Sequence, residues 1–213
     1  MILVFIGPHG SGKGTIAQLF SRKGWVSFSM GQALREHVQR MGKYSQEVDR
    51  FLRAGKLVRN KVAYAVLHEH LSSLKKKNII FDGFPRNVKQ FRGARSILRL
   101  LKRDIDAFIF IDVPDSEVIA RLKERKQCPR CQRIYGKNVS PRKKGFCNAD
   151  GEKLVLRTDD NPAVIRDRFR VFYEETFPVM DEASKYYPVF RVNGVGSPTV
   201  VFKRVSRVVS LLN

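Results

Sequence analysis

The chain of 213 residues is 43% hydrophobic and 29% charged, an ordinary composition for one globular domain or one domain with insertions. No apolar run approaches the ~20 residues that would cross a bilayer, so the composition excludes a membrane-spanning protein. The formal net charge of +21 predicts a surface that attracts polyanions such as nucleotides or nucleic acid, although one run of lysines such as 75–77 is more simply a solvated face.

Five short apolar runs predict buried strands along the chain. They cover residues 1–6, 25–29, 78–83, 106–114 and 188–194. The first run lacks a charged segment before it and is too short for a signal peptide. We therefore expect a cytoplasmic protein, and in that reducing compartment clustered cysteines more often bind metal than form disulfides.

Helical patterns separate these strands. They are predicted at 15–24, at 31–76 with breaks at 41–45 and 54–60, at 115–126, at 161–187 and at 198–212. Asp115 and Asn161 are predicted as N-caps of their helices, and Pro162 follows Asn161 at the first helical position. Strands that alternate with helices predict an α/β fold in which helices cover both faces of a parallel sheet.

The most specific motif is GPHGSGKGT at residues 7–15, directly after the first strand and at the start of a helix. A glycine, four further residues, and then Gly12 and Lys13 match the spacing of a P-loop. The usual hydroxyl comes one position later than expected, because Gly14 stands before Thr15. Glycines let backbone amides converge on phosphate oxygens, while the helix N-terminus and the lysine add positive potential. The segment therefore predicts a nucleotide phosphate site.

The three cysteines of the chain lie close together, and three cysteines cannot pair off as disulfides. Cys128 and Cys131 are spaced C-x2-C, and after fifteen residues Cys147 and Asp150 follow as C-x2-D. Two such pairs facing each other make a tetrahedral zinc site, since zinc accepts thiolate sulfur and carboxylate oxygen alike. Four protein ligands leave no open position for catalysis, so the spacing predicts a structural zinc ion. The alternative is three free thiols beside a solvated carboxylate.

Six segments, in order over essentially the whole chain, resemble adenylate kinases and the wider family of nucleoside monophosphate kinases. They are GSGKGT at 10–15, SMGQALR at 29–35, AGKLV at 54–58, DGFPRNVKQ at 82–90, RLKER at 121–125 and RTDDNPAVIRDRF at 157–169. The resemblance implies a P-loop NTPase-like three-layer α/β fold with a parallel central sheet. It also implies a core domain over 1–29, 59–126 and 159–213, an inserted monophosphate-binding helical segment over 30–58, and a zinc-binding lid over 127–158.

The activity that the resemblance implies is reversible phosphoryl transfer from ATP to AMP, which yields two ADP and requires Mg²⁺. The implied ATP-binding residues are Gly10, Ser11, Gly12, Lys13, Gly14, Thr15, Arg121 and Arg125. The implied AMP-binding residues are Met30, Arg35, Lys56, Leu57, Val58, Gly83, Arg86, Gln90, Arg157 and Arg168. The implied catalytic residues are Lys13, Arg86, Arg125, Arg157 and Arg168. Asp82 would anchor the magnesium ion through water, and we expect a monomer without membrane partners.

Some positions depart from the pattern of the family. Its usual proline is His9 here, for which we expect either a solvent-facing side chain or a phosphate contact. Its threonine beside the acceptor base is Met30, and its aspartate two positions later is Gln32. Gln90 is retained and favours adenine, because an amide offers both a donor and an acceptor to the base edge. We therefore expect AMP to be preferred, but less exclusively than in relatives that carry the threonine.

Two other functions remain open from the sequence. One is phosphorylation of another monophosphate, or of several among CMP, UMP and GMP. The other is a basic, zinc-containing protein that associates with RNA or the ribosome, since the predicted lid is rich in lysine and arginine. The RNA-reading motifs with interleaved aromatic residues are absent, so nucleic-acid binding is expected only as a secondary property.

Overall fold

A computed structural model of the protein describes residues 1–41, 44–72, 78–131, 133–157 and 160–212. In chain order the strands of these ranges are β1 (Ile2–Ile6), β2 (Val26–Ser29), β3 (Ile79–Asp82), β4 (Ala107–Asp112), β5 (Lys126–Gln127), β6 (Ile134–Tyr135), β7 (Val155–Leu156) and β8 (Val189–Asn193). The helices are α1 (Lys13–Ser21), α2 (Met30–Gln39), α3 (Ser45–Arg53), α4 (Asn60–Ser72), α5 (Val88–Leu100), α6 (Asp115–Lys123), α7 (Pro162–Val171), α8 (Pro178–Ser184) and α9 (Pro198–Ser210). The lysine run 75–77 lies outside the described residues.

The central sheet has five parallel strands in the order β2-β3-β1-β4-β8, and the five predicted strands are all present in it. In the middle strand, Val4 pairs with Phe81 of β3 and with Phe108 of β4. All five residues of β1 are buried, because the strand is covered on both faces. Ile2 and Val4 belong to one hydrophobic cluster, whereas Leu3 and Phe5 belong to another. This alternation confirms the predicted three-layer α/β fold.

Different helices supply the two clusters. The cluster that contains Val4 also takes apolar side chains from α4, α5 and α8, and the cluster that contains Leu3 takes them from α1, α6 and α9. No described helix is long and apolar enough to cross a membrane.

The predicted helix over 161–187 is divided in the structure. Helix α7 passes into a π-helical turn at Phe172–Thr176, and α8 begins at Pro178. The predicted cap at Asn161 is confirmed, because its side chain accepts a hydrogen bond from the Val164 N–H at 3.0 Å. The predicted cap at Asp115 is wrong. Pro114 occupies the N-cap position in an extended conformation, and the Asp115 carboxylate instead accepts a hydrogen bond from the Tyr173 hydroxyl at 2.7 Å.

A small antiparallel sheet, in the order β6-β5-β7, forms a lobe apart from the central sheet. Its hydrophobic cluster consists of Cys128, Tyr135, Cys147 and Leu154, with Val139 packed against it. A cluster with so few large apolar side chains is a weak core by itself, so the lobe depends on other interactions for its shape.

Candidate active site

A cleft of about 870 Å³ opens at the carboxyl ends of the central strands. The P-loop follows β1 into this cleft, and Asp82 enters it at the end of β3. Open parallel sheets bind ligands at this edge, because the loops that leave the strands converge there. The cleft is lined by all eight residues predicted to bind ATP, which are Gly10, Ser11, Gly12, Lys13, Gly14, Thr15, Arg121 and Arg125.

Two glycines of the P-loop stand where a side chain would lie too close to neighbouring atoms. Gly10 has a φ of +91°, and a Cβ atom there would lie 2.9 Å from the Leu122 side chain. A Cβ atom at Gly14 would lie 3.0 Å from the Asp82 carboxylate. The glycine inserted between Lys13 and Thr15 therefore makes room for the carboxylate that is predicted to anchor magnesium.

The ammonium group of Lys13 is folded back onto the loop. Its Nζ donates to the carbonyl oxygens of Gly7 at 2.6 Å and Pro8 at 2.8 Å. The pKa of Lys13 is lowered to about 8, chiefly by removal from water, with a further contribution from the nearby Arg86 and Arg125 and with Asp82 acting in the opposite direction. Burial raises the pKa of Asp82, against the positive charges of Lys13, Arg86 and Arg35. The cleft therefore concentrates positive charge, and this favours the binding of an anionic ligand.

A second group of charges contacts the P-loop at His9. Arg125, just after α6, donates from Nε to Asp160 at 2.6 Å and also binds Asp160 through Nη2. The side chains of this pair are 12% and 5% exposed, so the ion pair is largely dry. His9 contacts Arg125, Arg168 and Asp160 through its Nε2 atom. The expectation of a solvent-facing His9 is therefore wrong.

Arg121 is held rigidly at the edge of the cleft. It donates to Glu117 at 2.9 Å, to the carbonyl of Ser11 at 3.1 Å and to the carbonyl of Gly194 at 3.0 Å. Glu117 also accepts a hydrogen bond from Lys137 of the small lobe at 2.8 Å. The partners Glu117 and Asp160 were not predicted from the sequence. The spacing of four residues between Glu117 and Arg121 on one helix was a usable signal, whereas no local pattern identifies Asp160.

The residues predicted to bind AMP divide into two groups. Six of them line the cleft: Arg35, Leu57, Gly83, Arg86, Arg157 and Arg168. Lys56 is exposed on the surface, and Val58 is 7% exposed in the core. Met30, at 3% exposure, also packs in the core, and its neighbours Gly31 and Gln32 line the cleft instead. An apolar side chain at the start of α2 is stabilised by burial, so Met30 does not face the cleft in this structure.

Gln90 lies behind the cleft at 2% exposure. Its carboxamide oxygen accepts a hydrogen bond from the backbone N–H of Arg86 at 2.8 Å, and its own backbone N–H is capped by Asn87. The Arg86 side chain donates to the Gly83 carbonyl at 2.9 Å. Gln90 therefore supports the loop that carries the phosphate-binding arginine.

The small lobe brings the four predicted metal ligands together. One ligand atom from each of Cys128, Cys131, Cys147 and Asp150 lies within 4.8 Å of all the others. The Asp150 carboxylate lies 3.3 Å from the Cys128 sulfur, and the sulfurs of Cys131 and Cys147 lie 3.4 Å apart. A Zn–S bond of about 2.3 Å places tetrahedral sulfur ligands about 3.7 Å apart, so the group has the size of a zinc site.

The surroundings of the cysteines also suit metal-bound thiolates. Backbone N–H groups point at two of the sulfurs, from Cys131 to Cys128 and from Ala149 to Cys147, each at 3.4 Å. Hydrogen bonds from the thiols and from the Glu152 N–H hold the pKa of Asp150 well below its usual range, so this carboxylate is an anionic ligand. Three thiols and an anionic carboxylate fit a soft, tetrahedral metal ion.

Comparisons with known proteins agree with this geometry. The sequence model of the family described as adenylate kinase matches residues 5–187. A protein named adenylate kinase from Thermosipho africanus is 35% identical over 98% of this chain and 99% of its own length. One from Methanothrix thermoacetophila is 35% identical over 99% of each chain, and one from Anaeromyxobacter dehalogenans is 36% identical over 93% of this chain and 94% of its own.

Proposed function

The chain belongs to the adenylate kinase family, and we propose that it transfers the terminal phosphoryl group of ATP to AMP, reversibly, to give two ADP. One observation carries this proposal. The P-loop, Asp82 and arginines from several separate segments line a single cleft. Phosphoryl transfer needs two nucleotides held in line and neutralisation of the charge on the moving group, and this cleft is suited to both.

At the donor end of the cleft, the P-loop amides and Lys13 would hold the phosphates of ATP. The Lys13 ammonium now donates to two backbone carbonyls, and an anionic phosphate oxygen is a stronger acceptor than either. Phosphate also reverses the local excess of positive charge, which favours the protonated lysine. The family resemblance implies that Arg121 would lie against the adenine base. Three hydrogen bonds already fix its guanidinium group in the free protein.

At the acceptor end, Arg35 and Arg86 would hold the phosphate of AMP. An oxygen of that phosphate attacks the terminal phosphorus of ATP, while the bond from this phosphorus to its bridging oxygen breaks. The bridging oxygen keeps the electron pair and leaves as part of ADP. Arg125, Arg157 and Arg168 would offset the negative charge of the moving group, because a guanidinium group binds phosphate oxygens in a fixed fork.

Magnesium would be held by Asp82 through water, and when bound it neutralises charge on the ATP phosphates. The segment 30–58 would close over the monophosphate and the lid 127–158 over ATP. Such closure would exclude water, which otherwise hydrolyses ATP.

The small lobe would hold a structural zinc ion through Cys128, Cys131, Cys147 and Asp150. Four protein ligands complete a tetrahedral shell, so the ion has no part in the chemical step. The proposal is supported by the approach of the four ligand atoms and by the weakness of the apolar cluster around them.

The deciding experiment is a coupled assay with Mg-ATP and each of AMP, CMP, UMP and GMP. We expect kcat/KM to be highest for AMP. A higher value for CMP or UMP would replace the adenylate kinase assignment by a broader monophosphate kinase. Lys13→Ala serves as a background control, because any activity that survives in this variant comes from a contaminating kinase.

A further inference from the structure

His9 joins charges from separate parts of the chain at a single atom. Its Nε2 lies 2.5 Å from an Nη atom of Arg125 and 2.5 Å from an Nη atom of Arg168. These arginines come from just after α6 and from the last turn of α7, and they are 116 and 159 residues away from His9. The proposed phosphoryl transfer gives no role to His9 itself.

The chemistry of the partners fixes the state of the imidazole ring. A guanidinium group has donors and no acceptor, so both arginines donate to Nε2. Nε2 must then carry a lone pair, and His9 is neutral with its proton on Nδ1. The Asp160 oxygen, 3.3 Å from Nε2, therefore accepts its hydrogen bonds from Arg125 and not from His9.

Burial and the positive charges that face His9 also favour the neutral form of its ring. Burial lowers its pKa well below the usual 6.5, and Arg125, Arg168, Arg157 and Lys13 lower it further. Among the described residues, Asp160 is the acidic group in contact with His9, and it is already paired with Arg125. A protonated ring would place a further cation among these four.

We propose that His9 is a positioning residue, whose Nε2 atom holds Arg125 and Arg168 together over the P-loop until a phosphate oxygen takes its place. The proposal rests on the proposed function, in which both arginines bind the moving phosphoryl group. Two guanidinium groups repel each other, and an acceptor shared between them keeps their phosphate-binding ends converged in the free protein.

The consequence is a specific kinetic signature. If His9 orders the arginines before ATP arrives, its loss acts on the free enzyme and therefore on kcat/KM for ATP. Once phosphates are bound they order the arginines themselves, so kcat should change less. Ordering two long side chains on binding lowers affinity by about tenfold, which is the expected loss in kcat/KM.

The test compares two substitutions of similar size. His9→Gln keeps an acceptor near the position of Nε2, and His9→Leu has none. We expect His9→Leu to lose about tenfold in kcat/KM for ATP with a smaller loss in kcat, and His9→Gln to stay within about threefold of wild type. Because the pKa of His9 lies well below 6.5, the wild type should lose kcat/KM only at pH values well below 6.5, where His9 becomes protonated, and His9→Gln should lack this part of the decline. Equal values for His9→Leu and wild type, or equal losses in both variants, would overturn the proposal.

Two further measurements separate the possible failures. Melting temperatures of both variants show whether a loss reflects folding. The ¹⁵N shifts of the His9 ring in the free protein report its tautomer, and a protonated Nε2 would contradict the proposal whatever the activity. A wild type that phosphorylates none of the four monophosphates would instead refute the proposed function, while the ring shifts still decide the state of His9.

Discussion

Replacing Asp160 by asparagine tests the ion pair that anchors the arginine cluster. In the wild type the carboxylate accepts from Nε and from Nη2 of Arg125, and both side chains are almost entirely buried. The asparagine side chain would keep one acceptor oxygen but lose the charge, so Arg125, which lies among Arg168, Arg157 and Lys13, would lose the carboxylate that pairs with it. Breaking a buried pair by removing one partner costs about 3–5 kcal/mol. One retained neutral hydrogen bond returns about 1 kcal/mol, so we expect a loss of roughly 2–4 kcal/mol in the free energy of unfolding.

For a chain of this length each kcal/mol lowers the melting temperature by about 2–4 °C, which gives a decrease of about 5–15 °C for Asp160→Asn. The matched control is Asp49→Asn, because Asp49 pairs with Arg53 at 2.7 Å while the two side chains are 40% and 76% exposed. Exposed pairs contribute about 0–1 kcal/mol, so the control should melt close to wild type. Thermal unfolding followed by circular dichroism measures both variants. If Asp160→Asn melts no lower than Asp49→Asn, the buried pair does not anchor this side of the cleft.

The remaining predictions concern the metal, the phosphate site and the acceptor end. Purified protein should contain one zinc ion per chain by metal analysis, chelation should lower the melting temperature, and protein purified without chelator but lacking metal would refute the site. Arg86→Ala should lower kcat by at least ~10²-fold in the coupled assay, because it removes charge stabilisation near the transferred group, and near-normal turnover would show that the site is misassigned. Because the pKa of Lys13 is lowered to about 8, the free enzyme loses this positive charge as the pH rises through that value, so kcat/KM for ATP should fall above pH 8. A flat profile up to pH 9.5 would contradict it. Met30→Thr should destabilise the fold by about 1–3 kcal/mol in urea unfolding, because it removes a buried apolar side chain. The sequence also predicts that this variant prefers AMP more strongly, which would show in the ratios of kcat/KM for AMP to kcat/KM for the other monophosphates. Unchanged ratios would exclude residue 30 as a base contact.

The sequence predicts the five strands of the central sheet and the grouping of the P-loop residues in one cleft, because both are encoded locally. Short apolar runs such as 106–114 are typical of buried inner strands, and the glycines and Lys13 of the P-loop lie within a few positions of each other. The four predicted metal ligands also follow from spacing, and the structure brings their ligand atoms within 4.8 Å of one another. The Asp115 cap failed for a local reason as well, since a proline with an extended conformation precedes it and Tyr173 binds its carboxylate.

The contacts that the sequence does not reveal join distant residues. His9 and Asp160 are 151 residues apart, and no pattern in either segment signals that they meet. The burial of a side chain is also difficult to predict from the local sequence. A methionine at position 30 is equally compatible with a base-binding surface and with a core, and only the packing of α2 against the sheet places it inside.

The acceptor end of the cleft is where this packing matters most for function. The carboxamide oxygen of Gln90 accepts from the Arg86 N–H, and the side chain is 2% exposed behind the cleft, so in this structure it presents no donor–acceptor pair to a base edge. With Met30 turned into the core, discrimination against pyrimidines then depends on the shape of the cleft beside Gly31 and Gln32. The shape of a cleft can separate purines from the smaller pyrimidines. It separates adenine from guanine poorly, because two bases of similar size are distinguished mainly by mismatched hydrogen bonds. The expected order of acceptors is therefore AMP first, GMP next, and the two pyrimidine monophosphates last.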